Sequence, residues 1–563
     1  MQAVVAERPW HKHWPENVPK TMAYPEVPVH GLLREAARRW PETTASIFYG
    51  AQLRYRQLDD LADRLAAGLR KIGVQPGDRV SIVMPNCPQF LIAFFGVLRA
   101  GGIVVQTNLL YTPRELEAQY NDAGVETVVC ADLYFEKVAK LRAATGLRRV
   151  VVTDIKEYLP GLLALLYPLK KRRDHGKIVI PSEPWVHRFR TLVRGPPQRP
   201  GSEPSVALDD VAVLQYTGGT TGVPKGAMLT HRNLVVNAHQ ANAWIPGVKP
   251  GERVLAALPF FHVYGLTITI LAAIVAGETM VIHPNPREIG ALLKLIDKRR
   301  PALFPGVPTM YIAIVNHPDV ARYDLKSIRA CVSGAAPLPA EVKRRFEAIS
   351  GGHLVEGYGL TEASPLTHAN PVFGLVKECI GMPVPDTDAK ILDAESGTQE
   401  LGVGEAGELA IRGPQVMKGY WNRPDETAKQ ITRDGWLLTG DIATMDADGY
   451  FAIVDRKKDM IIASGFNVYP REVEEVLYMH PAVKEAAAIG VPDPYRGETV
   501  KAFVVLKDGV TATEQDILAH CRERLASFKV PKIVEFAPDL PKTLVGKVLR
   551  RALREQEAKR AAN

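Results

Sequence analysis

The stretch Val211 to Gly226, VAVLQYTGGTTGVPKG, decides how the rest of this chain is read. Val211 to Gln215 is a short apolar strand that runs directly into Tyr216–Gly226, a loop of glycine, threonine and one lysine. Glycine lets a backbone approach phosphate oxygens closely, threonine hydroxyls add donors, and Lys225 adds a mobile positive charge. A merely flexible turn is the competing reading, but eleven residues of this composition rarely serve only as a hinge. The loop departs from the GxxxxGK[ST] nucleotide loop, because Pro224 precedes the lysine and Gly226 follows it.

Working outward toward the N-terminus, Leu58, Leu61, Ala62, Leu65, Ala66, Leu69 and Ile72 fall at helical spacing, and Gly73 ends the run. The apolar stretch Val80 to Met84 then reads as a buried strand. The same helix, glycine, strand rhythm recurs at Phe90 to Val105 and Leu116 to Cys130, which favours a parallel sheet covered by helices. From about Ala389 the pattern shifts to short strands with turns at Glu395–Gly397 and Asp446–Gly449, an antiparallel signature. The last hundred residues read as a small α+β unit: strands at Met460–Ala463, Ala486–Val491, Val500–Leu506 and Ile533–Phe536, helices at Pro470–Met479 and Glu514–Leu525. Lys170 to Pro204, with six prolines, reads as the least structured part.

Two motifs mislead. Gly402 to Gly407, GVGEAG, matches GxGxxG, yet a strand-like Glu408–Arg412 follows it, so no helix N-terminus awaits a pyrophosphate and the match reads as a hairpin turn. Asp446–Gly449 lacks the ligand set of a calcium loop.

Composition narrows the class. The chain has 563 residues, 46% of them hydrophobic and 23% charged, which excludes disorder, a collagen-like repeat and a disulfide-stapled miniprotein. Five scattered cysteines with no CxxC pair argue against a disulfide framework or structural zinc, and fit a reducing compartment. The formal net charge is +8, but Lys170 to Arg199 alone carries nine bases against two acids. A protein that tracks phosphate backbones spreads its cations over a wider face, so nucleic acid is not the expected partner.

The start of the chain has no apolar core of a secretory signal. Leu255 to Gly277 lacks charge but is interrupted by Pro259, His262 and Gly265, so it reads as a buried strand, a polar loop and a core helix from Leu266 to Ala276. Tyr158 to Arg173, YLPGLLALLYPLKKRR, leaves two readings open: an interfacial segment whose cations meet anionic headgroups, or a solvated surface excursion.

At the phosphate loop the chain also resembles a known family. YTGGTTGVPKG is similar to the phosphate loop of the acyl-adenylate-forming superfamily of acyl-CoA synthetases, luciferases and peptide-synthetase adenylation domains. Seven further motifs follow in that family's order: LPFFHVYG (Leu258–Gly265), SGAAPL (Ser333–Leu338), EGYGLTEAS (Glu356–Ser364), GELAIRGPQVMKGYWN (Gly407–Asn422), DGWLLTGD (Asp434–Asp441), VDRKKDMIIASGFNVYPREVEE (Val454–Glu475) and LPKTLVGKVLRR (Leu540–Arg551). The resemblance spans roughly residue 30 to the C-terminus. It implies an α/β protein: a large N-terminal domain of doubly wound sheets plus a β-barrel-like part over residues 1–455, a hinge at 456–458, and a small mobile C-terminal α+β domain over 459–563.

The resemblance implies ATP, Mg2+ and coenzyme A as co-substrates or cofactors. Thr217, Gly218, Gly219, Thr220, Thr221, Gly222 and Lys225 would cradle the β- and γ-phosphates. Tyr358 would stack on adenine, Thr361 would contact the α-phosphate, and Glu362, with Thr217, would hold Mg2+. Asp441 would bind the ribose with Arg456 as its partner, Lys547 would bridge carboxylate and α-phosphate during adenylation, and Lys458 would be the hinge. His262, Tyr264, Val307, Gly334 and Ala335 would line the acyl site, with a satisfied core histidine as the other reading of His262. Two departures stand out: Ile462 and Ser464 replace lysines found in luciferases and many aryl ligases, and Ala335 replaces a glycine common among relatives.

DGWLLTGDIATMDADGYFAIVDRKK resembles the signature of fatty acyl-CoA synthetases, and QTNLLYTPRELE, PFFHVYGLT and FPGVPTMY resemble bacterial long-chain enzymes. The expectation is a long-chain fatty acid:CoA ligase acting through acyl-AMP. Its alternatives are a medium-chain or aryl acid ligase and a lipid-binding or uptake protein with vestigial machinery. A peptide-synthetase module is disfavoured because no carrier domain follows Asn563. The expected location is cytoplasmic, with peripheral contact at the inner membrane face through 158–199; a homodimer is left open.

Overall fold

The computed structural model describes residues 8–197, 203–217, 224–457, 459–463, 466–493, 497–543 and 548–562. Two large sheets carry the N-terminal part. In the first, seven strands run in the order 186–188, 149–153, 125–131, 79–83, 103–106, 211–217, 225–230, and all neighbours are parallel except the last pair. In the second, six parallel strands (Arg253–Ala256, Thr279–Ile282, Thr44–Phe48, Leu303–Gly306, Ala330–Ser333 and the start of His353–Gly359) are edged by antiparallel ones.

The helix Pro88–Arg99, PQFLIAFFGVLR, is buried along its whole length. A helix that is apolar all round belongs inside a fold, and this one packs in the core shared by the two sheets. Its one charge, Arg99, is neutralised by Asp59 and Asp63 of the helix Tyr55–Lys71. The expected antiparallel part is a four-stranded meander, Asp388–Leu392, Gly407–Arg412, Leu437–Met445 and Phe451–Arg456. GVGEAG forms the end of the connection between its first two strands, which pair antiparallel, and the tight turn lies earlier, where Asp393 N–H donates to the Gln399 carbonyl at 2.8 Å.

The last sheet holds Phe466–Val468, Ile461–Ala463, Gly497–Leu506, Val483–Asp493 and Ile533–Phe536, backed by Pro470–Tyr478 and Glu514–Arg522. Half-buried Arg550 joins this unit to the chain on both sides of residue 458: it bonds Asp455 at 3.1 Å, Asp459 at 3.2 Å and Glu474 at 2.6 Å.

Two sequence expectations need correcting. Of the stretch from Lys170 to Pro204, the described residues 170–197 hold more regular structure than its prolines suggest. Gly161–His175 is one helix, with Pro168 inside it. Val186–Arg188 adds an edge strand to the first sheet, and Phe189 and Val193 of the helix Phe189–Val193 are buried. Pro181, Pro184, Pro196 and Pro197 flank these elements instead of breaking them, where a missing N–H costs nothing. The second concerns the core helix: its first part, Gly265–Leu271, is wound as a π-helix before Ala272–Ala276 turns α-helical. Rare π-segments cluster at functional sites, and this one begins three residues after His262.

Candidate active site

The candidate phosphate loop lies between two strands that pair as a hairpin. Val211–Thr217 and Lys225–Thr230 pair antiparallel, with Tyr216 opposite Gly226 and Thr217 opposite Lys225. Gly218, Gly219, Thr220, Thr221 and Gly222 lie outside the described residues, yet the register fixes where their loop leaves and re-enters the sheet. Asp122 ties this hairpin down. It accepts the Tyr216 hydroxyl at 2.6 Å on one oxygen and Arg423 at 2.8 Å on the other.

The segment 416–421 runs beside the hairpin as a further extended stretch. Met228 N–H donates to the Gly419 carbonyl at 2.8 Å, and Trp421 N–H donates to Gly226 at 2.8 Å. This placement brings Tyr420 between two candidate residues. Its hydroxyl donates to Glu362 Oε1 at 2.8 Å, while the Lys225 ammonium lies 5.3 Å from its ring centroid. Lys225 also pairs with Glu426. Glu426 is held down to about 2, chiefly by the hydrogen bond from Lys225 and then by that from Lys429. The Tyr420 hydroxyl is pushed up, first by burial and then by the charge of Glu362. Thr217, Lys225, Tyr420 and Glu362 thus form one continuous row.

Glu362 is positioned by a sharp turn. The strand His353–Gly359 ends at Gly359, where a Cβ would lie 2.7 Å from the Pro365 carbonyl carbon and 3.2 Å from the Leu366 Cα. Only glycine lets the chain double back so closely, and the short turn Thr361–Ala363 follows. Its Glu362 backbone carbonyl accepts Met417 N–H at 2.7 Å, which binds the turn to segment 416–421.

Tyr358, near the end of the same strand, donates its hydroxyl to Asp441 Oδ2 at 2.6 Å. Asp441 lies on Leu437–Met445 directly opposite Arg456 of the neighbouring strand. Next to it, Gly440 N–H donates to Glu408 Oε1 at 3.1 Å, and the other Glu408 oxygen holds Lys457 at 2.8 Å. The ribose candidate is therefore braced on the residue pair that leads into position 458. Lys458 and Lys547 themselves lie outside the described residues.

The acyl candidates meet at the carboxyl ends of parallel strands in the second sheet, where open α/β sheets bind ligands. Tyr264 donates its hydroxyl to the carbonyls of Val332 at 2.8 Å and Gly306 at 3.3 Å. Gly334 N–H donates to Gly306 at 3.1 Å, and a Cβ on Gly334 would come within 3.1 Å of the Tyr264 ring. Val307 is buried directly after Leu303–Gly306. Ala335 holds a positive φ of 70°, the left-handed region that favours glycine, which explains why a glycine suits this position.

His262 sits on a loop held from two sides. Asn86, buried, donates to the Leu258 carbonyl at 2.8 Å and accepts Phe260 N–H at 2.9 Å. Gln215, on the phosphate hairpin, donates to the Phe261 carbonyl at 3.1 Å. His262 Nδ1 accepts Tyr264 N–H at 3.2 Å, so the neutral ring carries its proton on Nε2.

Among the described residues, the structure brings sequence candidates into three groups: the candidate phosphate row, the Tyr358–Asp441 pair and the candidate acyl cluster. Sequence reasoning missed Asp122, Asn86, Tyr420 and Glu426. Tyr420 lay inside a quoted motif, but Glu426 is 201 residues from Lys225 and carries no local signal. Among the described residues no group of three or more His, Cys, Asp or Glu could hold a metal alone. One carboxylate and one hydroxyl, Glu362 and Thr217, suit a hard cation that keeps waters and takes phosphate oxygens as further ligands.

The pattern described as "AMP-binding enzyme" matches residues 33–421, and "AMP-binding enzyme C-terminal domain" matches 472–547. The chain is 49% identical over 559 residues to a long-chain-fatty-acid–CoA ligase of Bacillus subtilis, covering 98% of each protein. It is 43% identical to one of Yersinia pestis, covering 98% of this chain and 99% of that one. Among solved structures, the anthranilate CoA ligase AuaEII in complex with anthranoyl-AMP superposes with a TM-score of 0.84 at 27% identity, over 96% of this chain and 98% of that one.

Proposed function

The chain belongs to the AMP-binding enzyme family, and on that premise we propose that it joins a long-chain fatty acid to coenzyme A through an acyl-AMP intermediate. It is an AMP-forming long-chain fatty acid:CoA ligase that uses ATP. The observation that carries this reading is the match to such ligases along nearly the whole of both chains. The fatty acid carboxylate attacks the α-phosphorus of ATP, and pyrophosphate leaves. The CoA thiol, losing its proton, then attacks the acyl carbon, and AMP leaves.

The residue roles are part of the proposal. Negative charge gathers on the phosphates as the first bond forms, so positioned cations and donors do most of the work. Lys225 and the Thr217–Gly222 loop hold the β- and γ-phosphates; Glu426 keeps the lysine neutralised until a phosphate displaces it. Thr361 meets the α-phosphate. Tyr358 stacks on adenine while Asp441, with Arg456, accepts the ribose hydroxyls. His262, Tyr264, Val307, Gly334 and Ala335 bound the carboxylate end of the acyl site. Glu362 and Thr217 would hold Mg2+, which supplies charge neutralisation of the phosphates when bound.

Residues 459–563 turn about 456–458 between the half-reactions, carrying Lys547 in for adenylation and out for thioester formation. The chain also meets a membrane surface within 158–199, where its cations gather. CoA-ester formation by the purified protein, measured across medium-chain, long-chain and aryl acids, tests the reading. Long-chain acids are expected to turn over fastest. The absence of ATP–pyrophosphate exchange with every fatty acid would contradict it and favour a lipid-binding protein.

A further inference from the structure

The helix Gly161–His175 is built inside out. Leu162, Leu165, Leu166 and Leu169 fall at i, i+3, i+4 and i+7, on one face. That face points to water: Leu162, Leu165 and Leu169 are 71%, 73% and 70% exposed. The same face continues into Arg172 and Arg173, also exposed. The opposite face carries half-buried Ala164, Tyr167 and Lys171. Tyr167 packs against the core, and Lys171 pairs with Asp132 at 2.5 Å and Asp154 at 2.6 Å. A helix on the surface of a soluble protein turns its apolar stripe inward. Here two ion pairs fix the roll of the helix so that the leucines face out.

We infer that this helix is an interfacial anchor for an anionic phospholipid bilayer, with the leucines entering the acyl boundary and Lys170, Arg172 and Arg173 meeting the headgroups. The inference rests on the membrane-contact reading above and narrows it from 158–199 to one helix. Charge decides the occupant: beside the leucines the helix exposes Lys170, Arg172 and Arg173 against one acid, Asp174, which pairs with Arg173 at 3.0 Å. A second copy of the chain would set these arginines against each other or bury them on leucine, and both arrangements cost free energy. An anionic lipid surface takes the leucines and the cations together. Arg188, Arg190 and Arg194 are exposed too, but on the edge strand Val186–Arg188 and about the helix Phe189–Val193, whose Phe189 and Val193 are buried, so no exposed leucine stripe accompanies them.

Sedimentation of the full-length protein with phosphatidylcholine vesicles, with and without phosphatidylglycerol, tests this. The wild type is expected to bind the anionic vesicles, and less so as salt rises. The double variant Leu165→Glu/Leu169→Glu should lose about tenfold or more in partitioning, since two exposed leucines no longer enter the boundary. Arg172→Ala/Arg173→Ala should lose severalfold and most of the salt dependence, while Arg190→Ala/Arg194→Ala, outside the helix, should bind as the wild type does. All variants should keep wild-type thermal midpoints and wild-type CoA-ester formation on detergent-dispersed acid without vesicles. Unchanged binding by the leucine variant would overturn the inference, as would a leucine-dependent dimer without lipid in sedimentation velocity. Loss confined to Arg190→Ala/Arg194→Ala would overturn the helix assignment but keep the broader membrane reading. No vesicle binding with ester formation intact would end the membrane reading and leave the ligase standing.

Discussion

Replacing Asp441 by asparagine separates charge from shape at the proposed ribose site. In the ligand-free protein, Asp441 accepts the Tyr358 hydroxyl at 2.6 Å, a distance typical of an O–H to carboxylate bond. Asparagine can still accept that bond through its carbonyl oxygen, so the fold should hold with only a small loss of stability. In the nucleotide complex the carboxylate would accept both ribose hydroxyls, each such charge-assisted bond contributing about 1.5–3 kcal/mol. Asparagine offers one neutral acceptor, worth about 1 kcal/mol, and turns an N–H pair toward the other hydroxyl. The net loss is about 2–5 kcal/mol, or roughly 30- to 5,000-fold in kcat/KM for ATP. The assay is steady-state CoA-ester formation at varied ATP, repeated with 2′-deoxy-ATP and 3′-deoxy-ATP. A deoxy nucleotide should cost the wild type much more than the variant, because both changes remove the same interaction. A variant within about threefold of the wild type, or penalties that simply add, would refute the ribose assignment.

Three further outcomes follow from particular contacts. Lys225→Ala should raise the KM for ATP by about tenfold or more while leaving the conversion of supplied acyl-AMP and CoA unchanged; equal loss in both half-reactions would remove Lys225 from the phosphates. Gly265→Ala places a Cβ 2.8 Å from the Pro259 carbonyl carbon, so the loop bearing His262 must move; a sharp fall in activity and thermal midpoint is expected, and wild-type values for both would contradict the role of this close approach. Glu278 is buried, with its carboxyl pushed up to about 8 by burial first and the charge of Glu252 second. A carboxyl that titrates higher in the fold than in the unfolded chain stabilises below pH 4.5 and loses that contribution as pH rises through about 8, on the order of 5 kcal/mol. Glu278→Gln should therefore be more stable than the wild type at pH 9 and about equal at pH 4.5, read from urea midpoints; parallel pH profiles would refute it.

The alternation of helix and strand from Leu58 to Cys130 was legible because each strand of a buried parallel sheet is a short apolar run that follows a helix-ending glycine, Gly73, Gly101 or Gly124. The C-terminal elements were legible to within a few residues, Ile533–Phe536 among them. The path through 170–197 was not, because proline marks where regular structure is interrupted and cannot show that strands and helices resume between prolines. The π-winding of Gly265–Leu271 was hidden too, since hydrophobic pattern does not separate a π-turn from an α-turn over seven residues. Within the candidate site, Tyr358, Thr361, Glu362 and Asp441 were legible as candidates, each inside a contiguous motif. Their braces were not. Asp122, Asn86 and Glu426 act across long stretches of chain, through single side chains whose partners only the folded register brings near.

Lys547→Ala tests the central claim most directly, with the two half-reactions measured separately on one preparation. The account predicts that ATP–pyrophosphate exchange with a long-chain fatty acid is lost, while supplied acyl-AMP and CoA are still converted to thioester and AMP at a rate near that of the wild type. Equal loss of both half-reactions would contradict an active site that serves two steps by exchanging its C-terminal lysine.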